Sequence, residues 1–114
     1  GFVYVADFNN HAIRKITPMG LVSTLAGSTS GAPGRANGTG TAASFNGPRG
    51  VAVGPSCDVY VADYNNHLIR RISPDGVVST WAAPRRSGPT ARSTSPAVMR
   101  STRASMVFLS MRVS

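Results

Sequence analysis

Two stretches of 25 residues decide the fold of this chain. Residues 3–27 read VYVADFNNHAIRKITPMGLVSTLAG, and residues 59–83 read VYVADYNNHLIRRISPDGVVSTWAA. They align at a constant offset of 56, and 17 of the 25 aligned positions are identical. Self-similarity at a fixed period is typical of repeat architectures, in which each unit buries its hydrophobic face against its neighbours. The duplication therefore predicts a repeat protein, but it identifies no partner or reaction.

Each copy reads as a series of short strands joined by tight turns. In the second copy, Gly50–Val53 and Val59–Asp63 have the composition that strands favour. Two more strands are predicted over His67–Ile72 and Val77–Trp81, separated by Pro74-Asp75-Gly76, where proline fixes φ and glycine supplies a positive φ. Four short antiparallel strands form one blade of a β-propeller. We therefore predict an all-β fold, a partial β-propeller of four-stranded antiparallel blades, with an irregular basic C-terminal tail.

These patterns divide the chain into four parts. Residues 1–27 are predicted to form an incomplete blade of three strands, residues 28–49 a connection rich in Gly, Ser, Thr and Pro, residues 50–83 a complete blade, and residues 84–114 a basic tail rich in Ser and Arg. Because the chain starts partway through a strand pattern, we expect it to belong to a longer polypeptide that supplies the remaining blades. Two blades alone leave edges and apolar faces open, so we expect marginal stability or aggregation.

Charge is distributed unevenly along the chain. Residues 1–83 carry six basic and four acidic side chains, a net charge of +2, whereas residues 84–114 carry six arginines and no acid, a net charge of +6. A basic tail is a reason to consider nucleic acid or anionic surfaces. The single cysteine, Cys57, excludes an intrachain disulfide. No apolar run approaches the roughly 20 residues of a membrane helix, so no membrane span is predicted. The sequence predicts no particular compartment.

The second copy resembles the NHL-repeat family. Asn66-His67-Leu68 stands in the context of the family pattern F-N-x-P-x-G-V-A-V, then V-Y-V-A-D-x-x-N-H-x-I-R-x-I, then P-x-G and V-S-T; the first copy has Asn10-His11-Ala12 at the same place. The resemblance covers about residues 2–83 and implies a propeller blade, normally one of about six in a ring. Gly54 stands where the family usually has an acid, and Cys57 where a turn usually has glycine. A β-carbon at a positive φ costs about 1 kcal/mol, so this turn is expected to be poorly specified.

One set of recurring residues has the chemistry of a site, namely Asp7, Asn10, His11, Asp63, Asn66 and His67. Histidine and carboxylate side chains are common metal ligands and proton carriers. The alternative is that aspartate and asparagine satisfy backbone groups at a turn while histidine packs against its neighbours. Recurrence in both copies favours a structural role in the turn. A single site needs few ligands, whereas the architecture needs the same residue in every repeat. We therefore treat these six as a structural signature, and predict no catalytic residue, no metal site and no cofactor.

A second recurring set is basic, and consists of Arg14, Lys15, Arg70 and Arg71. Neighbouring residues of a strand point to opposite faces of the sheet. The simpler interpretation is solvated charge on the blade surfaces. The alternative is a basic face that contacts RNA phosphates or acidic partners.

The tail after Ala83 has lost the repeat pattern. It could be a disordered basic segment, or a nucleic-acid-binding arm, although it has one aromatic residue for stacking. A third hypothesis is translation out of frame, because a shifted reading of the codons permits D-G…F-N-P…G-V-x-V-D near the expected spacing. Sequencing the gene would decide this.

The function favoured by the sequence is a non-enzymatic protein-interaction or scaffold module whose protein partner is unidentified. One alternative is RNA binding through basic blade faces, which would give a salt-dependent affinity that survives deletion of residues 84–114. A second is part of a propeller lyase or hydrolase, whose metal ligands would come from several blades. Bound metal in the full-length parent would favour that alternative.

Overall fold

The computed structural model describes residues 1–84 and a strand at residues 107–109. The strands are β1 (Val3–Asp7), β2 (Ala12–Ile16), β3 (Val22–Gly27), β4 (Gly38–Thr39), β5 (Pro48–Val53), β6 (Val59–Asp63), β7 (Leu68–Ile72), β8 (Val77–Ala82) and β9 (Val107–Leu109). Three-residue 3-10 helices occupy Phe8–Asn10, Gly40–Ala42 and Tyr64–Asn66. The predicted all-β fold with antiparallel sheets is confirmed.

The strands form two sheets. The first has the order β1-β2-β3 and the second has the order β4-β8-β7-β6-β5-β9, and neighbouring strands run antiparallel. The duplication extends to strand register, because Val5 faces Arg14 in the first copy and Val61 faces Arg70 in the second. A bulge precedes each arginine and places Arg14 opposite Thr24, as it places Arg70 opposite Thr80. A bulge redirects the side chains beside it, so both arginines are set up by the same irregularity.

Positive backbone dihedrals mark several tight turns. His11 and His67 end their 3-10 helices with φ of 56° and 57°, in the left-handed region, so the strand predicted to begin at His67 begins at Leu68. Gly76 has φ 88° in the turn between β7 and β8. Cys57 has φ 67°, as expected from the family's glycine at that position. The turn before β6 therefore carries a β-carbon where glycine is favoured.

One hydrophobic core joins both sheets and the segment between them. Its buried members are Ala6, Ile13, Ala26, Ala43, Phe45, Val51, Val59, Val61, Ile72 and Val78. They come from alternate positions of the strands, which is how a strand presents one face to a core. Phe45 lies in the connection and is fully buried. It links the two repeats, since the cluster contains residues of both.

The connection between the copies is more structured than its composition suggests. It includes β4, which pairs with β8 through Gly38–Val78 and Thr39–Val77, and a 3-10 helix. β5 starts at Pro48, inside the segment assigned to the connection. The division into parts at 1–27, 28–49, 50–83 and 84–114 stays a prediction.

The interpretations of the tail fall largely outside the described residues. Strand β9 pairs antiparallel with β5 from Val51–Leu109 to Val53–Val107. The choice between a disordered segment, a nucleic-acid-binding arm and a frameshifted repeat concerns residues that the structure does not describe. Among the described residues, no helix has the length and apolar composition to cross a membrane.

Candidate functional site

The signature carboxylates lie at the ends of β1 and β6 and are buried. Asp63 accepts hydrogen bonds from the Asn66 amide (2.8 Å), an Arg70 guanidinium nitrogen (2.8 Å) and the Asn46 backbone N–H (2.8 Å). The 3-10 helix brings Asn66 back to Asp63, and antiparallel pairing places Arg70 diagonally across from it. Both oxygens of the Asp63 carboxylate therefore accept hydrogen bonds from the protein, as expected of a side chain with a structural role.

Asp7 has the equivalent asparagine and arginine partners in the first copy, without, among the described residues, the backbone donor that Asp63 has. It accepts hydrogen bonds from the Asn10 amide at 3.0 and 3.1 Å and from Nε of Arg14 at 2.9 Å. The Asp, Asn and Arg of each copy are thus brought together. The recurrence of one hydrogen-bond set supports the interpretation of these residues as turn architecture, which remains a prediction.

Arg70 is fully buried and bound on several sides. Besides the Asp63 ion pair, it donates to the backbone carbonyls of Ser44 (2.8 Å) and Ala36 (2.9 Å) and to Oδ1 of Asn37 (2.9 Å). The guanidinium carbon lies 5.0 Å from the centre of the Phe45 ring. Nε alone has no partner among the described residues. Arg70 therefore ties the connection to the second sheet and presents no charge to solvent.

Arg14 is more open, with 26% of its side chain exposed. Its guanidinium donates to Oγ1 of Thr24 on the neighbouring strand. In the second copy the equivalent Thr80 donates to Oδ1 of Asn37, which also accepts from Arg70. In the second copy, Asn37 of the connection therefore lies between Arg70 and Thr80. In the first copy, Arg14 and Thr24 bond to each other directly.

Lys15 and Arg71 occupy equivalent positions but have different partners. Arg71 forms an ion pair with Asp58, with Nη2 2.8 Å from Oδ2. The residue 56 positions before Asp58 is Phe2, and Nζ of Lys15 lies 4.3 Å from the centre of that ring. A cation–π contact replaces the ion pair. Each of the four residues of the candidate basic face thus contacts another residue of this chain, and Arg70 is buried.

The two signature histidines differ in what they contact. Nδ1 of His11 accepts a hydrogen bond of 3.0 Å from the Gly47 N–H, so it binds the segment that leads into the second sheet. His67 is exposed. It lines a pocket of about 350 Å³ at the end of the second sheet, together with Tyr64, Leu68 and Ile69 among others.

An aromatic and arginine cluster joins the 3-10 helices of the two copies. The Arg49 guanidinium carbon lies 3.9 Å from the centre of the Tyr64 ring and 5.2 Å from that of Phe8. Phe8 and Tyr64 are equivalent in the two repeats. Arg49 and Tyr64 are exposed, and Phe8 is half-buried. The sequence did not single out Arg49, because nothing in its neighbourhood marks it as stacked between residues distant in the chain.

Burial raises the pKa of Tyr4 above its ordinary value of 10.0, and the negative charge of the Cys57 thiolate adds to that effect. Within residues 1–84, no group of three or more His, Cys, Asp or Glu side chains has the arrangement to hold a metal ion.

Comparison with known proteins confirms the NHL-repeat resemblance. The NHL repeat family model matches residues 45–72. The chain is 39% identical over 79 residues to NHL repeat-containing protein 2 of Bos taurus, covering 68% of this chain and 10% of that protein. It is 40% identical over 73 residues to Protein SUPPRESSOR OF QUENCHING 1, chloroplastic, of Arabidopsis thaliana, covering 63% of this chain and 7% of that protein. The chain therefore carries an NHL repeat and spans about a tenth of the relatives it matches.

Solved structures give the same fold. An auxiliary nutrient binding protein from Bacteroides thetaiotaomicron matches with a TM-score of 0.64 and 27% identity, over 76% of this chain and 24% of that one. The corresponding protein from Bacteroides ovatus matches with a TM-score of 0.59 and 26% identity, over 71% of this chain and 22% of that one. The prediction of a partial β-propeller is thereby confirmed. NHL-repeat proteins often mediate protein interactions and are mostly non-catalytic binding modules.

Proposed function

We propose that this chain is a non-enzymatic protein-interaction module and that its binding surface is the cluster of Phe8, Arg49 and Tyr64. The observation that carries the proposal is the position of the Arg49 guanidinium between two aromatic rings, 3.9 and 5.2 Å from their centres. Tyrosine and arginine are enriched among the residues that contribute most to protein–protein binding. Stacking also holds the guanidinium in place, which lowers the entropy lost when a partner binds.

The charge distribution favours a protein partner over RNA. Binding to nucleic acid gains most of its affinity from basic side chains that neutralise phosphates. In the candidate basic face, Arg70 is buried against Asp63 and Arg71 is paired with Asp58. Arg14 is held by Asp7, and Lys15 lies over Phe2. A phosphate cannot reach Arg70, and at the other three residues it would compete with a contact within the molecule, although 42% of the Arg71 side chain is exposed.

The same bonding argues against an acid–base role for the signature aspartates. A general base must reach the proton that it removes, but Asp63 is buried and already accepts three hydrogen bonds. Asp7 is buried and accepts from Asn10 and Arg14. These residues hold the turns in place, so the proposed binding surface is the exposed aromatic cluster instead.

A photo-crosslinking experiment tests the proposal. Asn9 is exposed beside Phe8, and its replacement by p-benzoylphenylalanine places a crosslinker next to the cluster. In extract of the source organism, irradiation is expected to give adducts that protease removes and nuclease does not. Their yield is expected to fall at least fivefold when Arg49→Ala is added, and to stay unchanged with Arg35→Ala, a matched exposed arginine of the connection. Adducts that nuclease removes, or that are indifferent to Arg49→Ala, would refute the proposal.

A binding measurement tests the alternative that the chain binds RNA. Fluorescence anisotropy with a 20-nucleotide uridine RNA is expected to show no saturable binding by a chain lacking residues 84–114. Saturable binding that weakens steeply between 50 and 200 mM salt would establish RNA as the partner instead.

A further inference from the structure

The connection between the two repeats carries an acceptor sequence for N-linked sugar. The chain has six asparagines, and Asn37-Gly38-Thr39 is the one place where serine or threonine follows an asparagine two residues later without an intervening proline. We infer that Asn37 is an N-glycosylation site, whose side-chain nitrogen receives an oligosaccharide from a lipid-pyrophosphate donor. The inference goes beyond the proposed function, because it concerns the connection rather than the Arg49 cluster.

Asn37 lies at the outer edge of the second sheet. It immediately precedes β4 (Gly38–Thr39), which pairs with β8 on one side and has no strand on the other among the described residues. Asn37 and Thr39 are both exposed. The asparagine that takes the sugar and the hydroxyl residue that completes the acceptor sequence are therefore both open to solvent in the folded chain.

The hydrogen bonds of Asn37 use its oxygen and spare its nitrogen. Oδ1 accepts from Nη2 of Arg70 at 2.9 Å and from Oγ1 of Thr80 at 3.4 Å. Within the described residues, Nδ2 of Asn37 donates to no acceptor. An asparagine keeps its carbonyl oxygen when a sugar is attached to its nitrogen, so glycosylation is compatible with both bonds.

The asparagines of the two signature turns have the opposite arrangement. Nδ2 of Asn10 donates to both oxygens of Asp7, at 3.0 and 3.1 Å, and Nδ2 of Asn66 donates to Asp63 at 2.8 Å. In those residues the nitrogen is bound to a buried carboxylate, and a sugar would compete with that bond. Asn37 therefore differs from them in its bonding as well as in the sequence that follows it.

The transfer step forms one bond and breaks another. Nδ2 of Asn37 bonds to the anomeric carbon of the donor sugar, the bond from that carbon to the pyrophosphate oxygen breaks, and the lipid pyrophosphate leaves. The side-chain nitrogen gives up one proton to a base of the transferase. The chain supplies only the acceptor, so the modification takes place where an oligosaccharyltransferase meets this segment.

A sugar at this position would shield an open sheet edge. Edge strands present unpaired backbone N–H and C=O groups that can pair with a strand of another chain. In the described structure β4 is such an edge, and Asn37 is the residue before its first. Because an N-linked oligosaccharide is bulky and solubilising, we expect the glycosylated chain to associate through this edge more slowly than the unmodified chain.

Mass spectrometry of the parent protein from the source organism tests the inference. Peptide N-glycosidase hydrolyses the side-chain amide of a glycosylated asparagine and leaves aspartate, and it is applied in water enriched in oxygen-18. We expect at least tenfold more oxygen-18 at residue 37 than in a sample without enzyme, which controls for spontaneous deamidation at Asn37-Gly38. Absence of the label, or label that does not depend on the enzyme, would overturn the inference.

A transferase assay on the folded 114-residue chain tests the bonding argument. Ala12→Ser places a serine two residues after Asn10, which is exposed but whose nitrogen is held by Asp7. Thr39→Ser supplies the matched serine sequence at Asn37. With a soluble N-glycosyltransferase and UDP-glucose, we expect Asn37 to be modified at least tenfold faster than Asn10, because Asn10 must first give up a charge-assisted hydrogen bond.

Synthetic peptides of the two segments control for the sequence preference of the transferase, and they are expected to react within about threefold of each other. Circular dichroism verifies that both variants keep the fold of the parent chain. Equal rates for the two asparagines in the folded variants would overturn the inference. Neither this assay nor the mass spectrometry depends on the Arg49 cluster, so the glycosylation site and the proposed function fail separately.

Discussion

Replacing Arg70 by methionine removes the buried cation that joins the connection to the second sheet. Arg70 and Asp63 are both fully buried, 2.8 Å apart, and the same guanidinium donates to the carbonyls of Ser44 and Ala36. Removing one partner of a buried ion pair leaves an uncompensated charge and costs about 3–5 kcal/mol. Native proteins have roughly 5–15 kcal/mol of stability in all, and two blades alone are expected to lie at the lower end of that range. Arg70→Met is therefore expected to remove a large share of the free energy of unfolding.

The duplication supplies a matched control in the same molecule. Arg14 bonds Asp7 by the equivalent pair at 2.9 Å, but its side chain is 26% exposed and no connection covers it within the described residues. Water can reach Asp7 when Arg14 is gone, so Arg14→Met is expected to cost only about 1–2 kcal/mol. The expected difference between the two variants is therefore about 2–3 kcal/mol. It arises from burial and from the additional hydrogen bonds that Arg70 makes to Ser44, Ala36 and Asn37 of the connection.

Urea denaturation followed by far-ultraviolet circular dichroism measures both variants against the parent chain. If Arg70→Met is too unstable to give a native baseline, Arg70→Lys retains the charge with fewer donors and is expected to fall between the parent and Arg70→Met. Asp63→Asn combined with Arg70→Met is expected to recover at least about 1 kcal/mol, since the unpaired charge is then absent. Equal losses for Arg14→Met and Arg70→Met, or no recovery in the double variant, would refute the reasoning.

Three further predictions concern the turn, the shared core and the pH dependence. Cys57→Gly is expected to raise the free energy of unfolding by up to about 1 kcal/mol, because φ at that position is 67°; Ser56→Gly, one residue earlier, should give no such gain in the same urea titration. Phe45→Ala is expected to cost about 3–5 kcal/mol and Phe45→Leu less than about 1.5 kcal/mol, and equal losses in thermal melts would contradict its role as the link between the sheets. Burial raises the pKa of Tyr4 above 10.0, so the unfolded chain ionises first and stability should fall as pH rises through 10.0; a Tyr4→Phe chain that lost stability as steeply between pH 9 and 11 would disprove this.

The sequence predicted the strand pattern because the duplicated positions repeat with the two-residue period of a half-buried strand. It also identified Cys57 as standing in place of a glycine at a positive φ, but it predicted His67 as the first residue of a strand, whereas His11 and His67 have left-handed backbone. The sequence did not reveal the burial of Arg70. That burial depends on Ala36 and Asn37 of the connection, some 33 residues away, and composition describes this segment only as a connection rich in Gly, Ser, Thr and Pro. Contacts made by backbone carbonyls leave no signature in residue identity.

The unequal environments of equivalent residues show how a repeat depends on the segments packed against it. Arg14 and Arg70 share sequence, register and ion-pair partner, yet one is open and the other is covered by the connection. His11 and His67 share backbone geometry, yet one accepts the Gly47 N–H and the other lines an open pocket. Some contacts, such as those of Asp7 with Asn10 and Arg14, lie within one repeat, whereas Arg70 and His11 bond to the connection. Comparing the two copies residue by residue therefore separates the contacts of the repeat itself from those that a neighbouring segment adds, as expected when stability is shared between adjacent units.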